Sequence, residues 1–367
     1  MSVTPNKSFR ICIVSEQLAG GGAERCSALL SQFFQSNNCV VHHVIIIDRI
    51  EYQFAGEVLN LGKLKKGGFN LFDRINRLKI LNIFFKNNTF DFIIDTRIIN
   101  RQFQEYLIIK FIYKAPIIKM VHSYMTNLYF PKNNFLSKSI YSKAKKIIAV
   151  SKAIKEKVNK DYNYTEVETF YNPIDLDYIK NQSEVFINID FKFILAVGNM
   201  NTNVKQFDQL INCYAKSDLP TLDLKLIIIG EGLLKNNLKA KVVELNLEDK
   251  IIFKGTIENP FSFYKLALFT VLTSKNEGFP TVLLESLACE TPVVAYNCLS
   301  GPSEIIINNE NGILVENQNQ NQMILAMNEM ISNKKLYLHC KNNAKSSVEK
   351  FSIQNIGNQW LELFNSI

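Results

Sequence analysis

A chain of 367 residues with 47% hydrophobic and 21% charged residues has the composition of a soluble globular protein, and its length suits two domains, each with its own core. No run approaches the ~18 apolar residues of a membrane span, and the opening MSVTPNKSFR lacks the apolar segment of an export signal, so a cytoplasmic location is expected. Residues 1–180 hold 26 basic and 15 acidic side chains against 16 and 19 in the remainder, a net +11 beside −3, so an anionic partner is expected for the first half.

In chain order, Arg10–Ser15 (RICIVS) reads as a buried strand that runs into Gly20-Gly21-Gly22 and a helix from about Ala23 to Ser36. Glycines at a helix start leave backbone amides approachable, a geometry suited to phosphate, although a glycine run also serves as a plain flexible turn. Further strands are expected at Cys39–Ile47, Phe90–Asp95, Ile117–Val121 and Ile147–Val150, each followed by polar or helical material, the alternation of a parallel sheet. Leu71–Phe85 and Phe103–Tyr113 mix basic and apolar residues at helical spacing. Such helices either lie on an anionic membrane or bury one face in the core. No nucleic-acid-binding motif is present, so an anionic membrane surface is the expected partner of the basic half and nucleic acid is not. His122 follows a strand and projects from the sheet's carboxyl edge, and Ser151 suits a helix N-cap. The strand Val167–Tyr171 ends in Asn172-Pro173-Ile174-Asp175, and the polar stretch Asn181–Asp190 reads as a linker.

The pattern then restarts with a strand at Phe193–Val197, Gly198-Asn199-Met200 and a helix near Phe207. Leu224–Ile229 closes with Gly230-Glu231-Gly232, and Ile251–Phe253 precedes Lys254-Gly255-Thr256-Ile257. An apolar run, Leu266–Leu272, leads to the turn Glu277-Gly278-Phe279-Pro280; Thr281 opens a helical segment, TVLLESLAC, and Pro292–Tyr296 is the next strand. The tail Phe351–Ile367 is helical, with Phe351, Ile356, Trp360 and Phe364 apolar. The expected organisation is 1–180, 181–350 and a C-terminal helix in 351–367. In strand–loop–helix units, ligands gather at the carboxyl ends of the strands against the helix start. Glu277 and Glu285 are acids in such a place, suited to accept hydrogen bonds from hydroxyls of the kind sugars offer. The alternative is a helix-entry Glu favoured by the dipole plus a solvated one. Seven scattered cysteines without a C-x-x-C pair read as reduced core thiols, and four histidines give no metal site.

The run EGFPTVLLE, followed by ETPVVA and SGPSEI, closely resembles the donor-binding signature of the retaining glycosyltransferases of family four; GGAE with Arg25 resembles their N-terminal loop, and NPID their domain-exit turn. The resemblance spans nearly the whole chain. It implies the α/β GT-B fold, two Rossmann-like domains facing a central cleft, with the C-terminal helix crossing back to the first. The implied reaction moves a hexose or N-acetylhexosamine from a nucleotide-diphosphate sugar, by family habit UDP-linked, with retention at the anomeric carbon and with no cofactor or metal. Glu277, His122 and Lys205 are the implied catalytic residues. Glu277 would support charge on the sugar, Lys205 the leaving diphosphate, and His122 would approach from the acceptor side. Gly21, Gly22, Asn199, Gly278, Phe279, Pro280, Thr281 and Val282 would line the donor phosphates and sugar, Glu285 would hold the ribose, and Gly255, Thr256 and Ile257 would flank the base. Glu231 resembles the family's G-E-G acid in a structural role. Relatives usually carry Arg where this chain has Asn199, and the loop before Lys205 is one residue longer, which weakens phosphate neutralisation. The implied acceptor is a polyprenyl-diphosphate-linked glycan of O-antigen or capsule synthesis, reached by peripheral attachment to the inner face of the plasma membrane. Two rivals share the fold: a nucleotide-sugar epimerase, and a catalytically silent assembly partner that Asn199 favours.

Overall fold

The computed structural model describes residues 8–65 and 71–367; most of the opening segment read for an export signal lies outside them. The chain forms two compact units, one running to Pro173 and including Ile353–Ile367, the other Ile174–Ser352. The helix Leu176–Ser183 packs on Phe261–Leu266, so the residues just before the expected linker belong with the second unit.

In the first unit β1 (Arg10–Ser15), β2 (Val40–Ile45), β3 (Glu57–Asn60), β4 (Phe92–Asp95), β5 (Ile117–Val121), β6 (Ala144–Ala149) and β7 (Val167–Thr169) form a parallel sheet in the order β3-β2-β1-β4-β5-β6-β7. Helices covering both faces of a parallel sheet make its strands near-continuous apolar runs, and RICIVS is buried after its first residue. The edge strand β3, Glu57-Val-Leu-Asn60, is only half-buried and has no such run, which is why the sequence did not announce it. The segment Phe103–Tyr113 is an α-helix, Gln102–Leu107, that continues as a π-helical turn, Ile108–Ile112.

The second unit repeats the plan with β8 (Phe193–Val197), β9 (Lys225–Ile229), β10 (Ile251–Gly255), β11 (Thr270–Leu272), β12 (Val293–Tyr296) and β13 (Gly312–Val315), ordered β10-β9-β8-β11-β12-β13 and parallel throughout. Each sheet changes winding direction once, between β1 and β4 and between β8 and β11. Such switch points open a crevice at the strands' carboxyl ends.

The C-terminal helix Ile353–Ser366 joins the first unit, packing on the helix Gly22–Ser36. Fully buried Trp360 stands edge-on to Phe34 and Phe170, with ring centroids 6.2 and 5.3 Å apart. Phe33 lies so close to Gly357 that a Cβ there would fall 2.4 Å from its ring. The seven cysteines are buried and unpaired.

One feature contradicts the apolar-run rule. Lys119, in the middle of β5, is 0% exposed. Its Nζ lies 3.1 Å from Asp95 Oδ1 and donates to the Arg97 carbonyl at 2.6 Å. Arg97 in turn holds Asp95 at 2.5 Å and Glu105 at 3.2 Å, and Tyr113 donates to Asp95 at 3.0 Å. Buried charges persist only when paired and hydrogen-bonded; here two cations and two carboxylates balance.

Replacing Asp95 by Asn leaves Arg97 and Lys119 short of a buried counter-charge and should cost about 3–5 kcal/mol in urea unfolding. Burial alone would raise the Asp95 pKa; Arg97 and Lys119 overcome it and hold the carboxyl well below the usual range. A depressed carboxyl contributes its full stability above its unfolded pKa of ~3.9 and loses it as pH falls below that. The parent should therefore lose stability in acid more steeply than Asp95→Asn.

Candidate functional site

Lys205 and Glu277 emerge beside one another at the switch point of the second sheet, after β8 and β11, with Lys205 Nζ 2.6 Å from Glu277 Oε1. Both side chains are mostly buried, 19% and 12% exposed, so the pair is shielded more than a surface ion pair. Two devices aim Lys205. Its stem lies over Gly198, where a Cβ would stand 3.0 Å from Lys205 Cγ. The next residue, Gln206, is in the left-handed region at φ 49°, a conformation costly for a residue with a Cβ. The buried Thr273 hydroxyl, at the end of the β11 run, reaches the carbonyls of Lys205 and Gln206 at 3.0 and 3.2 Å and fastens that bend. Local strain held by surrounding structure is a common mark of functional positions.

The turn bearing Glu277 is braced by the later SGPSE segment. Ser300 Oγ donates to the Gly278 carbonyl at 2.7 Å. Gly301 has φ 95°, and a Cβ on it would lie 2.4 Å from Pro280 Cδ, so the two motifs form one packed object. Phe279 turns into the core, 4% exposed and edge-on to Phe351 at 5.2 Å. Only its backbone faces the turn, and Pro280 has no amide to donate. Pro280 then opens the helix Thr281–Ala288, whose first amides, at Thr281 and Val282, carry the positive end of the dipole. Glu285 lies one turn on and is 5% exposed. The fully buried Tyr264 donates to its Oε2 at 3.2 Å, a partner the sequence did not reveal. Asn199 uses its side chain locally, accepting from the Asn201 amide at 2.6 Å. It therefore stabilises its loop and supplies no cation. Glu231 pairs with Lys235 and stands against Gly255, which has φ 74°; the exposed Thr256 and half-buried Ile257 follow.

His122, Gly21 and Gly22 belong to the first unit. The helix start at Gly21–Gly22 departs from the expected phosphate cradle. Glu24 folds back so that Oε2 would lie 2.4 Å from a Cβ on Gly21, which puts a carboxylate where an anion was expected. Burial raises the Glu24 pKa, its own backbone amide opposes this and Glu16 adds to it. Glu16, just past β1, is also raised by burial, with Arg97 opposing and Asp95 reinforcing. His122 caps β5 with both ring nitrogens enclosed and unpartnered and the Asn172 side chain beside it. Burial pushes its pKa down to about 3, against Asn172 and aided by Lys119; the ring is a neutral hydrogen-bonding group. Asn172 is itself 3% exposed with Oδ1 unpartnered. The carboxyl edge of this unit thus carries carboxylates, a neutral imidazole and an amide, groups that match hydroxyls, beside Arg49, which is paired with Glu51 and lies 3.7 Å from the Cβ position of Gly20. A concavity of about 450 Å³ lined by Lys138, Tyr141, Tyr164 and Glu166 lies at the opposite, amino ends of β6 and β7. No grouping of metal-ligating side chains occurs among the described residues.

Residues 177–347 match the family model described as Glycosyl transferases group 1, and residues 20–178 that described as Glycosyltransferase Family 4. The chain is 32% identical over 345 residues, 91% of its length and 93% of the relative's, to the N-acetylgalactosamine-N,N'-diacetylbacillosaminyl-diphospho-undecaprenol 4-alpha-N-acetylgalactosaminyltransferase of Campylobacter jejuni. Over 144 residues, 39% of this chain and 29% of the relative, it is 33% identical to a poly(ribitol-phosphate) alpha-N-acetylglucosaminyltransferase of Staphylococcus aureus. Among solved structures, Anabaena HepE in complex with UDP and glucose superposes with a TM-score of 0.78 at 17% identity, covering 98% of this chain and 100% of that one. TarM superposes with a TM-score of 0.78 at 15% identity, covering 99% and 100%.

Two measurements probe this geometry. A double-mutant cycle of Lys205→Met and Glu277→Gln, read by denaturant unfolding, should give a coupling of about 1–2 kcal/mol; additive effects would mean that the pair is not formed in solution. His122 takes up a proton in the unfolded chain near ~6.5 and resists it when folded. Its stabilising effect is therefore complete above that value and is lost as pH falls toward 3. His122→Gln should flatten the pH–stability curve in that window, with the remaining slope there owed in part to buried His43, pushed down to about 4.

Proposed function

Since the chain belongs to glycosyltransferase family four and has the GT-B fold, we propose that it is a retaining, metal-independent transferase. It moves a hexose or N-acetylhexosamine from a UDP-sugar to a polyprenyl-diphosphate-linked glycan in surface-polysaccharide synthesis, O-antigen or capsule. It works in the cytoplasm at the anionic inner face of the plasma membrane. The observation that carries the chemistry is the Lys205–Glu277 pair at the second sheet's switch point, with Glu285 one helical turn away. The substrate class is supported by the Campylobacter jejuni relative, whose name specifies a diphospho-undecaprenol-linked acceptor; UDP is supported by its presence in structures of the same fold.

In this reading the bond from the anomeric carbon to the donor diphosphate breaks as the acceptor oxygen bonds to the same face of that carbon. The acceptor proton passes to the leaving phosphate. Lys205 and the amides at Thr281 and Val282 take up the growing negative charge, the role that preorganised donors fill best. Glu277, already held by Lys205, accepts hydrogen bonds from the donor sugar and supports positive charge on its ring. Glu285 holds the ribose hydroxyls, with Tyr264 fixing the carboxylate plane, and the edge Gly255–Ile257 flanks the base. Neutral His122 and the carboxylates near it face acceptor hydroxyls. Gly21 and Gly22 would offer their amides to an anion only if Glu24 swings aside.

The test is a thermal-shift screen against UDP, GDP and their sugars with chelator present, followed by transfer to a lipid-linked acceptor. A ligand at 100 times its Kd adds about 2.7 kcal/mol, several degrees for a unit of this size. One nucleotide class should stabilise the chain, and Glu285→Ala should abolish the shift. Glu277→Gln should lower kcat by ~100-fold or more while UDP binding persists. The use of Asn199 as a loop acceptor, where the family resemblance implies Arg, favours a second reading, a silent assembly partner. The absence of a shift with every nucleotide would select it.

A further inference from the structure

We propose that one flank of the first unit is the surface by which this chain docks on an anionic lipid bilayer. This builds on the reading of a membrane-borne acceptor and adds the side chains that make the contact. The helix Leu71–Asn87 buries only Leu81 and Phe85. Every fourth position from its start, Leu71, Ile75, Lys79 and Ile83, forms a slowly turning stripe, and all four are exposed, the apolar ones at 63%, 48% and 54%. A helix that is apolar on both its core and its outer side is expected where something other than water covers it.

Neighbouring elements extend this face. Arg74 donates to Gln104 at 3.1 Å and Phe85 packs on Tyr113 at 5.0 Å, so the segment 102–113 runs alongside the helix in the same direction. It leaves Phe103 and Phe111 75% and 59% exposed. Lys143 Nζ reaches the Lys110 carbonyl at 2.8 Å, which brings the helix Asn134–Tyr141 beside them with Phe135 85% exposed. Single exposed apolar residues need no explanation, but six on three adjoining elements do.

Charge decides what covers them. Lys79, Lys114, Lys138 and Lys143 are exposed among the apolar side chains, whereas Glu105 is buried on Arg97. The centre of a protein–protein interface is depleted in lysine, and a nucleic acid would gain nothing from Leu71, Ile75 and Ile83. Large apolar side chains spaced among lysines are what an anionic membrane interface takes up, the former in the acyl boundary and the latter at the headgroups.

The experiment is flotation of the whole chain with phosphatidylcholine vesicles, with and without phosphatidylglycerol. The chain should float only with the anionic vesicles, less so at high salt. The triple variants Phe103→Ser/Phe111→Ser/Phe135→Ser and Lys114→Glu/Lys138→Glu/Lys143→Glu should each cut the bound fraction ~10-fold or more. Turnover of nucleotide sugar with a lipid-free acceptor, measured on the same preparations, should match the parent's. Vesicle binding without turnover in the parent would sink the functional reading and leave the surface standing. Flotation equal on neutral vesicles, or unchanged in both variants, overturns the surface. Self-association that the same substitutions remove would assign the face to a second copy and overturn it as well.

Discussion

A parallel sheet covered on both sides leaves its strands no room for chemistry except at their ends, and that constraint organises this chain. Strand after strand is an apolar run that turns polar at its carboxyl terminus. Ser15-Glu16 follows β1, Asp95-Thr96-Arg97 ends β4, and His122 ends β5. Gly198 follows β8, and Thr273 precedes the Glu277 turn after β11. Where the winding reverses, two such ends stand next to one another with a crevice between them. Lys205 meets Glu277 at that point of the second sheet. Glu16 and the Asp95–Arg97 pair occupy the corresponding point of the first.

The two switch points carry different electrostatics, and the difference follows from what each cation faces. Arg97 and Lys119 are committed to Asp95 and Glu105 below the surface, and the first edge presents Glu16, Glu24 and a neutral His122 beside the Arg49–Glu51 pair. Lys205 is paired with Glu277, and a helix opens at Thr281, just past the turn that carries Glu277. An anion arriving there would share a cation already oriented, with little reorganisation, because Gly198, the bent Gln206 and the Thr273 hydroxyl fix the stem. A sugar hydroxyl arriving at Glu277 would find a carboxylate already turned. One ion pair thereby presets two contacts of opposite sign.

What was legible in the sequence is what depends on neighbours along the chain. The EGFP turn, its helix, the strand periodicity and the C-terminal helix are local patterns, and the structure has each within a few residues of its expected place. The network around Asp95 was hidden because its members are 2 to 24 residues apart and meet only once the sheet forms; Lys119 inside an apolar run was its one visible sign. The same holds for Tyr264 on Glu285, 21 residues away, and for Ser300 on Gly278. The left-handed Gln206 has no sequence signature, since glycine or asparagine would be the usual choice. At Gly21–Gly22 the local pattern shows a glycine run but not that Glu24 folds back to within 2.4 Å of the Cβ position of Gly21.

The basic excess of the first half is not gathered at its carboxyl edge alone. At its carboxyl edge Glu16, Glu24 and His122 stand beside cations that have partners, Arg49 on Glu51 and Arg97 and Lys119 on Asp95. Lys79, Lys114, Lys138 and Lys143 are exposed on the helical flank with Leu71, Phe103 and Phe135. This separation has a physical logic. If the acceptor is the proposed diphosphate-linked glycan, an uncancelled positive edge would favour its charged headgroup over the sugars it carries. Under the proposed docking, lysines on the flank would supply long-range attraction to an anionic surface, while short-range hydrogen bonding at the edge would select hydroxyls. On that reading recruitment and selection rest on different residues, and either could change without weakening the other.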